Sequence, residues 1–72
     1  LKSYDLDRIK DSLEQLKEMA EELKSVIQTN PAHYGRITGH SRQALHAFVN
    51  NKLHFKTDKL IAIYQAIQND NT

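Results

Sequence analysis

Arg42, Gln43 and His46 fall at i, i+1 and i+4 of a single stretch. In that order a guanidinium fork, an amide and an imidazole can donate and accept hydrogen bonds, but they do not make a bond-breaking device. No nucleophile stands beside a base and an orienting group, and no phosphate-binding loop is present, so the chain is not expected to be an enzyme. The four histidines, His33, His40, His46 and His54, follow one another at intervals of seven, six and eight residues. Those intervals contain no i,i+4 ligand pair, and cysteine is absent, so neither a metal nor another cofactor is expected.

The 72 residues suffice for one small domain whose core is marginal by itself. Net charge is only +1, but its sign is unevenly distributed. Between Leu1 and Thr29 the basic residues Lys2, Arg8, Lys10, Lys17 and Lys24 meet seven acidic ones, whereas from Asn30 onward Arg36, Arg42, Lys52, Lys56 and Lys59 meet only Asp58 and Asp70. The second part is therefore the half expected to face a polyanion. With no cysteine, no membrane-length apolar run and no secretory layout, a cytoplasmic protein without a membrane partner is expected. The chain begins at Leu1 rather than methionine, as expected of a processed or excised segment.

Four helices are expected to hold these groups, giving an all-α fold: a long N-terminal amphipathic helix followed by a three-helix core. Leu6, Ile9, Leu13, Leu16, Ala20, Leu23 and Ile27 alternate in steps of three and four, the spacing of a helical seam. A helix from Asp5, its capping residue, to Thr29 would be about 36 Å long. A globule of this chain length has a radius of gyration of about 11 Å and cannot cover it. Leu6, Ile9, Leu13 and Leu16, the narrow half of the stripe, are therefore assigned to homodimerisation, the alternatives being that the helix frays before Leu13 or that all seven positions pack within one chain; Lys10–Glu14 and Lys17–Glu21 are assigned to i,i+4 ion pairs. Met19 and Val26 widen the second half for packing within the chain. The expected division is 1–29 for association and core packing, and 30–72 for binding.

Asn30-Pro31 ends the first helix and starts a second, with Asn30 as N-cap and Pro31 at the first helical position. The second helix is expected to reach about Thr38 and stop at Gly39, where a left-handed conformation is needed. Ser41 caps a third helix running to about Asn51, with Ala44, Leu45, Phe48 and Val49 as its apolar positions. After a linker over 52–56, Thr57 or Asp58 is expected to cap a fourth, whose inward face is Leu60, Ile61, Ile63, Tyr64 and Ile67; Asn69 to Thr72 are expected to fray. Tyr34, Phe48 and Tyr64 are read as core or core-edge residues.

The segment PAHYGRITGHSRQALHAFVNN resembles the helix-turn-helix of the lambda-repressor and Cro family. Gly35, Gly39, Leu45 and Phe48 fill the family's small, turn and two apolar positions, and the likeness extends over about residues 30–68. A small residue at Gly35 lets two helices cross closely, and Gly39 supplies positive φ. The departures are His40 in place of an aliphatic residue, Gly35 in place of the commoner alanine, Asn51 in place of a terminating glycine, and the long first helix.

The resemblance implies a dimeric regulator of transcription, a repressor of phage, plasmid or bacterial type, bound to double-stranded DNA. In that geometry the third helix enters the major groove. Arg42, Gln43 and His46 would meet base edges: arginine on guanine, glutamine on adenine, histidine on a base or phosphate. Phosphate contacts are expected from Ser41, Asn50, Lys52 and Lys56, and from the helix N-terminus at Pro31, Ala32 and His33. Ala47 is small enough for close approach. The alternative is a protein-interaction module, an antirepressor or adaptor, docking through the stripe from Leu6 to Leu16.

Overall fold

The computed structural model describes residues 1–70 and is all-helical, with no strand among them. A single 3-10 turn, Ile9–Asp11, precedes four α-helices: α1 Leu13–Thr29, α2 Pro31–Thr38, α3 Arg42–Val49 and α4 Thr57–Asp70. The radius of gyration is 11.3 Å, within extents of 30 × 29 × 17 Å.

The first helix is shorter than its apolar spacing predicts. Ser12 leaves the helical region at φ −121° and ψ 96°, and its Oγ accepts the Gln15 amide at 3.3 Å as the N-cap of α1. Short polar side chains such as these compete with the helix for backbone groups. Asp5 does so upstream, its Oδ1 accepting the Asp7 amide at 3.1 Å. The remaining 17-residue helix is about 25 Å long and fits within the globule, so the expected excess of helix disappears. Of the two expected i,i+4 ion pairs neither forms: Lys10 meets Asp58 at 3.7 Å, and Glu21 takes Lys24 rather than Lys17 at 3.3 Å.

The break lets residues 1–8 fold back as a strap. The Tyr64 hydroxyl donates to the Lys2 carbonyl at 2.8 Å, and the Tyr4 and Tyr64 rings meet edge-on, 5.6 Å apart. Tyr4 donates to Glu22 at 2.9 Å, and Lys2 reaches Glu18 at 2.7 Å. Burial, reinforced by that hydrogen bond to Glu22, raises the Tyr4 pKa, whereas the hydrogen bond to Glu18 raises that of Lys2.

These rearrangements redistribute the expected dimer seam. Ile9 is fully buried in its own chain, Leu6 and Leu16 pack against the same core, and Leu13 alone projects, 67% exposed. The four residues thus present no common outward stripe, because a non-helical linkage at Ser12 removes the register that would align them. Both halves of the chain share one core: Ile9, Met19, Leu23 and Ile27 meet Leu45, Phe48, Leu60, Ile63, Tyr64 and Ile67. Within α4 the expected inward face is present, with Ile61 only half-buried at its edge. Asn69 and Asp70 are helical rather than frayed, while Asn71 and Thr72 lie outside the described residues.

Candidate functional site

The turn between α2 and α3 follows local chemistry closely. Asn30 Oδ1 accepts the His33 amide at 3.4 Å, Pro31 occupies the first turn of α2, and Gly39 ends that helix at φ 74° and ψ 18°. The Gly39 and His40 amides both donate to the Gly35 carbonyl, at 3.0 and 3.2 Å. A Cβ on Gly35 would stand 3.0 Å from the His40 carbonyl oxygen and 3.8 Å from Leu45 Cδ1. Gly35 thus admits the turn and α3 to the surface of α2, as its size predicts. Ser41 then caps α3, its Oγ accepting the Ala44 amide at 3.1 Å.

His40 occupies the position of an expected aliphatic residue and is half-buried. Its ring lies 4.9 Å from that of Phe55, which lies 4.8 Å from Phe48. Burial lowers its pKa, and the nearby positive charge of Lys59 lowers it further, so the neutral ring serves as the missing apolar group.

Two sides of α3 have opposite fates. Leu45 and Phe48 are inside the core, whereas Arg42, Gln43 and His46 are exposed. Eight residues, a little over two turns, suffice for this separation once Leu45 and Phe48 are anchored. The exposed side borders an open groove of about 750 Å³. Ser41, Arg42, Gln43, His46 and Asn50 line it together with Gln28 and Pro31; Ile27, Leu45 and Val49 contribute apolar surface. Among the described residues neither the Arg42 nor the Gln43 side chain has a hydrogen-bonding or ionic partner.

The end of α3 is held from another element. Asn50 is the C-cap and Asn51 adopts the left-handed conformation at φ 63°, the role a glycine more often fills. Lys24 of α1 donates to Asn51 Oδ1 at 2.6 Å and lies 5.4 Å from the centre of the Phe48 ring. Sequence patterning gave Lys24 no role beyond its charge. Gln28 was missed as well, although its place one turn from the Asn30-Pro31 junction was a usable signal.

The expected phosphate-contacting residues divide. Ser41, Asn50 and Pro31 border the groove beside the base-contacting candidates. Ala32, Lys52 and Lys56 are exposed, and Lys56 lies apart from the groove, on a second hollow of about 530 Å³ with His54, Phe55, Asp58 and Lys59. His33 differs from expectation: its amide is taken by Asn30, and its Nε2 lies 2.7 Å from Asp70 Oδ2 at the far end of α4. Among the described residues no group of three or more acidic, cysteine or histidine side chains converges as a metal site. No helix of the described residues is long and apolar enough to cross a membrane.

No protein-family model, curated protein or solved structure matches this chain.

Proposed function

We propose that the chain is a sequence-specific double-stranded DNA-binding protein, a regulator of transcription that reads the major groove with α3. One observation carries the reading. Arg42, Gln43 and His46 are exposed on one side of a helix whose other side is locked in the core by Leu45 and Phe48. Two short helices joined by a tight turn at Gly39 are the order of elements from which a second helix can be offered to a groove while the first crosses the backbone, and this supports the reading. Arg42 supplies a donor fork matched to guanine, and Gln43 a donor and acceptor matched to adenine.

The charge of the second half supports the same reading, with Arg42 at the groove and Lys56 and Lys59 on the second hollow. Among the described residues, Arg36, Arg42, Lys52, Lys56 and Lys59 are all without an ion-pair partner, so phosphates can engage them without breaking internal pairs. In this reading two copies address a repeated or palindromic site with their α3 helices about 34 Å apart. Their contact lies elsewhere than the four-residue seam, since Ile9 is inside the core.

Selection from a random duplex pool with purified protein tests the proposal. A defined site is expected to emerge, with affinity falling steeply as salt is added. Arg42→Ala should lose about 1–3 kcal/mol of binding and relax preference at one base position. Recovery of no preferred sequence, or binding indifferent to salt, would reject the reading in favour of a protein-docking role.

A further inference from the structure

The exposed His46 ring has a fixed partner one turn further on. Asn50 Nδ2 lies 2.9 Å from the His46 backbone carbonyl oxygen and 3.1 Å from His46 Nε2. A carbonyl oxygen only accepts, so the Asn50 atom facing it must be the amide nitrogen and not the amide oxygen. That nitrogen carries two hydrogens. One is directed to the carbonyl, which leaves the other for Nε2 and makes Nε2 the acceptor. In neutral His46 the proton then resides on Nδ1.

We infer that Asn50 is a positioning residue that locks His46 as its Nδ1–H tautomer and so makes it a donor-only reader of the DNA edge. This rests on the proposed DNA-binding role of α3; the tautomer itself does not. With Nε2 occupied, the ring's remaining nitrogen offers a hydrogen and no lone pair. It therefore selects a base that presents an acceptor in the major groove: N7 or O6 of guanine, N7 of adenine or O4 of thymine. Cytosine, which presents its N4 amino group there, is rejected because two donors would meet. Arg42, one turn earlier on the same helix, is likewise donor-only, so the two residues favour acceptor-rich edges at both ends of the reading face. Gln43 is the member able to accept.

Nitrogen-15 NMR of the histidine rings at pH 8 separates the tautomer from DNA binding. The wild type is expected to show His46 as Nδ1–H, and Asn50→Ala to lose that state in favour of Nε2–H while its backbone amide spectrum stays folded. Asn50→Asp, whose carboxylate can only accept, is expected to draw the proton to Nε2. Duplex selection should then show cytosine excluded at the His46 position by the wild type and admitted by Asn50→Ala. The same His46 tautomer in wild type and Asn50→Ala overturns the inference, however well either binds DNA. An Nδ1–H ring that Asn50→Ala abolishes, in a protein that retains no duplex, upholds the lock and overturns the DNA reading. Altered tautomer with unchanged base preference overturns donor-only selection alone.

Discussion

The two halves of the chain treat their cations differently. In residues 1–29, Lys2, Arg8, Lys10 and Lys24 lie within ion-pair distance of Glu18, Asp5, Asp58 and Glu21 respectively. Beyond Asn30 the five lysines and arginines have no such partner among the described residues, and His33 with Asp70 is the pair that half contains. Most of the first set are exposed, so each pair contributes little stability. Their consequence is geometric: Lys2 and Lys24 are directed at carboxylates of α1, Arg8 at Asp5 and Lys10 at Asp58 of α4, and of the five cations only Lys17 has no ion-pair partner among the described residues. The cations of the second half remain available to an outside anion, and that is where the proposed reading face stands.

Folding separates the halves as well. The conformation of the first depends on docking of the strap against α1 and α4; that of the second depends on single residues at caps and turns. Truncation of Ile9, outside the α-helices but wholly buried, should break the first half most severely. Ile9→Ala is expected to lose about 2–4 kcal/mol in urea unfolding, as a core deletion does. A loss below about 0.5 kcal/mol, the ordinary surface range, would mean that the strap is not held against the core.

A smaller effect is expected from the second half. Gly39→Ala forces a side chain into the left-handed region and should reduce stability by about 1–2 kcal/mol, with Gly39→Asn milder. No steric neighbour lies within 4 Å of the added Cβ, so the backbone alone is responsible. Equal effects of Ala and Asn would contradict that origin. The smallest change sharpens the contrast with Ile9: Leu13→Ser, on the same heptad pattern but exposed, is expected to leave folding stability within about 0.5 kcal/mol.

Much of the second half was legible because its signals are steric and local. Asn30, Pro31, Gly39 and Ser41 each constrain their own backbone or the amides of the next turn, and they occupy the positions expected of them. The apolar residues of α3 and α4 follow from helical period, which also determines that Arg42, Gln43 and His46 share the outward side. In the first half the same period misled. Seven apolar residues in register are compatible with one helix or with two pieces joined by a break. The signal that distinguishes them, Ser12 followed three residues later by Gln15, is the spacing of an N-terminal cap within an otherwise helical stretch.

By itself the amino-acid sequence determined helices α2, α3 and α4, the turn at Gly39 and the identity of the exposed side of α3, because those depend on residues within a turn or two of one another. Tertiary structure decided that Ile9 belongs to the core, that His33 is engaged by Asp70, that Lys24 secures the end of α3, and that Gln28 lines the same groove as His46. These pairings join residues up to 37 positions apart. Short-range periodicity carries no information about which distant side chain arrives; that is decided by how four helices bury one small set of apolar groups together.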